Sequence, residues 1–165
     1  MPANVPPVPE GFHTLTPYLV VSDAVAAIEF YKQAFGAEVR RIHYTPDGQT
    51  ITHADLRIGD SMLLLCGEFP AWGVLSPRTL GGTPVTIHIY VADPDALFNR
   101  AVAAGATVKM PLADQFWGDR YGQLTDPFGH VWSTAARIAE PTEEEIKRAS
   151  EAAFAKMSAE GTSSA

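Results

Sequence analysis

The chain has 165 residues, 46% hydrophobic and 19% charged, which is the size and composition of one globular domain or of two small modules sharing a core. A formal net charge of −7 argues against nucleic acid as a partner, because that needs clustered Lys and Arg. No stretch approaches the roughly 20 apolar residues of a membrane span, no signal-like segment opens the chain, and the single cysteine, Cys66, excludes an internal disulfide, so a cytoplasmic protein is expected.

Residues 1–12 carry Pro2, Pro6, Pro7 and Pro9 and read as a flexible arm. Thr14 to Val21 is apolar and β-branched, which predicts a strand. Asp23 is placed to cap a helix whose apolar stripe is Val25, Ile28, Phe30, Tyr31 and Phe35, and Gly36 stops it. Strands are predicted at Val39 to Tyr44, Ile51 to Ile58 and Ser61 to Cys66, with Pro46-Asp47-Gly48 turning between the first two. A linker rich in Gly and Pro, 67–83, leads to a strand from Val85 to Val91. A helix from Asp93 to Ala104 follows, stopped by Gly105. Val108 to Leu112 is a strand, Ala113 to Gly118 a loop, and Arg120 to Thr125 a strand. Asp126-Pro127-Phe128-Gly129 turns the chain into the last strand, His130 to Ile138. Pro141 and the acids Glu143, Glu144 and Glu145 open a C-terminal helix over 139–160, where the helix dipole favours negative charge. Residues 161–165 read as a disordered tail.

The order β-α-β-β-β thus occurs twice. Val21, Asp23 and Gly36 return as Val91, Asp93 and Gly105, about seventy residues on. A repeat of this length makes each copy a unit with an open face. The expected fold class is α+β: two tandem βαβββ modules, about 13–66 and 84–138, forming a cup-shaped, largely antiparallel mixed sheet within one domain, 13–138, plus the C-terminal helix. Paired units of this kind build clefts for small molecules.

Three segments carry a family resemblance: Tyr18-Leu19-Val20-Val21-Ser22-Asp23 with Phe30-Tyr31 and Phe35-Gly36-Ala37; Val91-Ala92-Asp93 with Ala104-Gly105-Ala106; and Asp126-Pro127-Phe128-Gly129-His130-Val131-Trp132. Together they resemble the vicinal oxygen chelate superfamily of glyoxalases, bleomycin-resistance proteins and extradiol dioxygenases. The stretch Gln115-Phe116-Trp117-Gly118-Asp119-Arg120 is similar to the PhnB-like branch. The resemblance implies metal ligands, His or Glu, on the first and last strands of each module. The matching positions hold Thr16, Leu64 (or Leu63, by register), Thr86 and Ser133. Hydroxyls and alkyl chains do not hold Zn, Ni or Fe, so no metal and no cofactor is expected. His88, His53 and Glu68 remain as ligands for a displaced site.

Strand alternation turns Tyr18, Met62, Cys66, His88, Tyr90 and Ser133 toward the cup. In the loop, Phe116 and Trp117 are placed to stack on a planar ligand beside Gln115, Gly118 to allow a close approach, and Arg120 to hold an anion. The same residues also read structurally, with Asp119 and Arg120 paired and the aromatics covering a sheet edge. The expected function is binding of a small, partly aromatic molecule. Two alternatives stand beside it. One is a metal-independent isomerase or lyase using His88, His53, Glu68 or Asp119 as base; the other is a glyoxalase-like metalloenzyme with a displaced site. The resemblance also implies a homodimer.

Overall fold

A computed structural model describes residues 5–161, with side chains described up to residue 155. Parts of the expected arm (1–4) and tail (162–165) lie outside the described residues. The first module runs β1 (Tyr18–Val21), α1 (Ala24–Phe35), β2 (Glu38–Tyr44), β3 (Ile51–Ile58), β4 (Ser61–Gly67). The second runs β5 (Thr86–Tyr90), α3 (Pro94–Ala103), β6 (Thr107–Asp114), β7 (Asp119–Thr125), β8 (Val131–Arg137). Between them the linker forms a 3-10 turn (Pro70–Trp72) and a short helix, α2 (Pro77–Leu80), and α4 (Glu143–Gly161) closes the chain.

Each module makes one four-stranded sheet, ordered β1-β4-β3-β2 and β5-β8-β7-β6. The outer pairs β1/β4 and β5/β8 are parallel, and the rest antiparallel. The helices begin where the sequence placed their caps. Asp23 accepts from the Ala26 amide at 2.9 Å, and Asp93 from the Ala96 amide at 2.9 Å. Gly36 ends α1 in the left-handed region, where a Cβ would strain the backbone.

The boundaries differ from expectation where a local group decides. β1 starts at Tyr18 rather than Thr14; Pro17, just before it, has no amide to donate and offers only its carbonyl, to Leu64. β6 continues past Leu112 to Asp114. α4 starts at Glu143 because Thr142 and Glu145 exchange bonds, the Thr142 amide to Glu145 Oε2 at 2.7 Å and the Glu145 amide to Thr142 Oγ1 at 3.3 Å.

One apolar core spans both modules. Leu19, Val21, Leu56, Leu63 and Leu65 face α1, while Leu124 and Trp132 join it from the second module. α1 packs along α3, and Trp132 lies against Phe35 and Tyr31 at ring separations of 4.6 and 5.4 Å. The buried carboxylate of Asp126 fastens this junction. It accepts from the Tyr31 hydroxyl at 2.8 Å, across the modules, and from Trp132 Nε1 and the Phe128 and His130 amides at 2.9 Å each. Arg100 Nε donates to the Ala34 carbonyl, and His130 Nε2 to the Val20 carbonyl, so backbone edges are tied as well.

Replacing Asp126 by Ala strands four donors in the core. We expect Asp126→Ala to lose about 3–5 kcal/mol in urea unfolding, and Tyr31→Phe, which removes one donor, about 1 kcal/mol. Equal, small losses in both would contradict a junction organised on Asp126.

Candidate functional site

In each sheet, alternate residues face the helices and the remainder face away, forming an open face. Register fixes the equivalence of the two open faces. Tyr18 lies opposite Leu64 on β4, and His88 lies opposite Ser133 on β8. Asp55 lies opposite Leu64, and Gln123 opposite Ser133. Hence Tyr18 corresponds to His88, His53 to Tyr121, Asp55 to Gln123 and Leu64 to Ser133. Leu64, not Leu63, is the open-face residue; Leu63 points into the core.

On the second module, His88 Nδ1 and Ser133 Oγ are 2.7 Å apart, and Ser133 is 1% exposed. The His88 ring stacks on Tyr121 (5.8 Å, 19° between planes) and meets Tyr90 edge-on at 4.5 Å. Tyr121 in turn meets Trp117, and Trp117 meets Phe116. The loop aromatics and the strand residues therefore form one continuous row. Tyr90 donates to Asp119 Oδ2 at 3.0 Å, and that bond, with burial, raises its phenol above the ordinary value. Gln123 donates to the Tyr121 hydroxyl at 2.6 Å.

Arg120 is absent from this row. It alternates to the other face, where its guanidinium grips Asp95 of α3 through Nε and Nη2 at 2.5 and 2.6 Å and Asp114 through Nη1 at 2.9 Å. Its charge is already met, and it serves the helix-to-sheet packing. Gln115 donates to its own neighbour's carbonyl, Ala113, at 3.4 Å. Gly118 does allow a close approach, but to the chain itself: its carbonyl accepts from both Ile138 and Ala139, and a Cβ there would lie 2.5 Å from the Ala139 oxygen.

On the first module, the Tyr18 hydroxyl is 3.0 Å from His53 Nδ1, His53 Nε2 is 2.5 Å from Asp55 Oδ1, and Arg41 Nε is 3.2 Å from Asp55 Oδ2. Cys66 sits beside Tyr18, with its thiol raised by burial. Glu68 stands apart from both faces; its carboxylate is lowered by bonds from Thr79 and from the Ser76 amide, the latter at 2.6 Å. The three residues of the expected displaced metal site thus lie in three different settings. Among the described residues, no three His, Cys, Asp or Glu side chains gather in a way that could hold a metal ion.

Where the modules meet, a cleft of about 370 Å³ opens between β5, the segment before β1 and the start of β4. His88 and Tyr90 line it with Met62, Leu63, Ile87 and Ile89, and His13, Leu15 and Pro17 form its other wall. Alternation points Met62, His88 and Tyr90 to this side. The wall from His13 to Pro17 follows only from the way the two sheet edges come together, which no local pattern carries. Asp55 and Tyr121 are two residues along from His53 and Asp119, and that spacing is the signal by which they are found.

Residues 11–134 match the profile of the Glyoxalase/Bleomycin resistance protein/Dioxygenase superfamily. The chain belongs to this superfamily. Its relatives include an uncharacterized protein from Mycobacterium tuberculosis, 50% identical over 139 residues, covering 82% of this chain and 81% of that one. Among solved structures, TioX from Micromonospora sp. ML1 is 28% identical with a TM-score of 0.60, covering 76% of this chain and 99% of its own. FosX from Listeria monocytogenes, whose structure was determined with Mn(II) and sulfate, superposes with a TM-score of 0.59 at 18% identity over 81% of this chain and 95% of its own, a likeness of fold alone.

In this superfamily scaffold, burial lowers the His88 imidazole below its ordinary value, and the nearby Asp119 charge opposes that shift. The folded protein therefore favours the neutral ring, and the unfolded chain takes up the proton more readily. The stability due to His88 is present above about pH 6.5 and is lost as pH falls through that value toward the lower folded one. Melting temperature should fall between about pH 7 and pH 5, and the fall should be shallower in His88→Gln. An unchanged slope would remove His88 as its source.

Proposed function

We propose that this protein binds a small, partly aromatic molecule at the cleft between its modules, without a resident metal. The observation that carries this reading is the cleft itself: about 370 Å³, with an apolar side along Met62, Leu63, Ile87 and Ile89 and polar groups from His13, Asp60, Ser61, His88 and Tyr90. The aromatic row running from His88 through Tyr121 and Trp117 to Phe116 extends it with faces for stacking. The chemistry of the superfamily's ligand positions supports the absence of a metal. Thr16, Leu64, Thr86 and Ser133 offer three hydroxyls and an alkyl chain, and the Ser133 hydroxyl is held by His88. These residues do not fit a transition metal.

A second reading is a metal-independent isomerase or lyase with His88 as base. The placement of His88 favours it: the ring lines the cleft, and burial favours its neutral form, the form that accepts a proton. The Gln115 to Arg120 segment further supports placement in the PhnB-like branch. We also propose a homodimer in the cytoplasm, with Leu15, Val85 and Ile138 as exposed apolar side chains for the contact.

Screening planar aromatic compounds by thermal shift, followed by calorimetry, tests the binding reading. A hit should bind at one site per chain, and His88→Ala should weaken it at least about tenfold, the equivalent of one lost charged or buried hydrogen bond. Elemental analysis of protein purified without chelator should give no stoichiometric Zn, Ni, Mn or Fe. A tightly held metal would overturn the reading, and turnover of the hit would favour the enzyme. Light scattering should give twice the chain mass; a monomer would remove the dimer.

A further inference from the structure

The first module's open face has a group that the cleft does not use. Tyr18, His53 and Asp55 stand in a hydrogen-bonded line, 3.0 Å and then 2.5 Å, ending on a carboxylate that is 4% exposed and ion-paired to Arg41. The tautomer follows from the partners. Facing a carboxylate, His53 Nε2 carries the proton and donates it; Nδ1 is then bare and accepts from the Tyr18 hydroxyl. The outer end of the line is Tyr18, a residue 47% exposed whose hydroxyl also meets the Cys66 thiol.

The second module serves as a control built into the same chain. It holds the same two ring types at the equivalent positions in exchanged order, His88 and Tyr121, but Gln123 stands where Asp55 stands. There the rings stack, and the amide donates to the tyrosine. In the first module the imidazole is hydrogen-bonded to a carboxylate; in the second, Asp119 lies near His88 but is bonded by Tyr90 instead.

We propose that the Tyr18–His53–Asp55 line is a proton-accepting site for a weakly acidic hydroxyl, that of a phenol or an enol. Tyr18 oxygen takes the ligand's proton while its own passes to His53 Nδ1. The ligand O–H and the original Tyr18 O–H break; a new Tyr18 O–H and an N–H form. The ligand leaves the step as phenolate or enolate, and His53 becomes an imidazolium held by Asp55. Concerted transfer matters because a free Tyr18 phenolate is disfavoured. Burial first, then the Cys66 and Asp55 charges, push the phenol up to about 12. The other groups facing the line are Arg41, which neutralises Asp55 from β2, and His43, whose ring meets His53 edge-on at 6.2 Å. Tyr18 is the group that touches the ligand; His53 and Asp55 act through it. Pro17, its neighbour in sequence, lines the cleft, whereas Tyr18, His53 and Asp55 stand outside the cleft lining.

4-Nitrophenol reports the step directly, because its phenolate absorbs visible light and the neutral form does not. At a pH about one unit below its own pKa, the probe bound to the wild-type protein should show the phenolate band. Tyr18→Phe and His53→Gln should each reduce that band at least about tenfold, a shift of one unit or more in the bound probe. Asp55→Asn removes a buried charge and risks unfolding, so the first two variants carry the test. Nitrogen-15 NMR supplies a readout without ligand: neutral His53 should carry its proton on Nε2. Probe bound only as the neutral phenol, no saturable binding, a band surviving in both variants, or a His53 proton on Nδ1 would each overturn the proposal.

Discussion

The architecture depends on four donors converging on the carboxylate of Asp126. Two belong to the turn that contains it, one to the Trp132 indole, and one to Tyr31 in the other module. The turn shapes itself around the first two. The last two then fix how the modules lie against each other, because Tyr31 comes from α1 and Trp132 from β8. Burial raises the stakes: in a low-dielectric setting each donor left without a partner costs far more than it would at the surface. The seam cleft follows from this arrangement. Its walls belong to different modules, and their spacing is set by how firmly α1 is held on β8.

Duplication supplies two equivalent faces, and small differences in side chains give them different chemistry. Exchanging the order of histidine and tyrosine preserves the space that each pair fills. Replacing a carboxylate by an amide changes what the imidazole can become. The first face ends in a carboxylate bonded to the His53 ring; on the second, burial favours the neutral form of His88, which stacks on Tyr121. Ser133, buried on β8, is the hydrogen-bond partner of the His88 ring.

Much of the fold is legible in the residues because the signals are local. Asp23 and Asp93 precede apolar helical stripes, Gly36 marks a left-handed stop, and the repeat of Val21, Asp23 and Gly36 announces a second copy. Both modules, their strand order along the chain and the C-terminal helix follow. The site is legible only in part. Alternation puts Tyr18, His88, Tyr90 and Ser133 on the open faces, since it needs nothing beyond the pleat. The loop reading sets Arg120 beside the aromatics or in a structural ion pair, and leaves open which face it takes once β7 begins at Asp119. The partners of Arg120 lie 25 and 6 residues away in sequence, so their approach depends on α3 crossing the sheet. The wall formed by His13, Leu15 and Pro17 is tertiary in the same sense. Likewise, nothing local shows that His130 reaches the carbonyl of Val20, which is a bond between modules rather than within a turn.

The contact at Gly118 makes the C-terminal segment a handle on the aromatic row. Two successive amides after β8 hang from one carbonyl in the loop that bears Phe116 and Trp117, with no room between the strands of chain for even a methyl group. Three residues, 140–142, separate that anchored backbone from the start of α4, so the helix leaves the body of the protein beside the loop that bears Trp117.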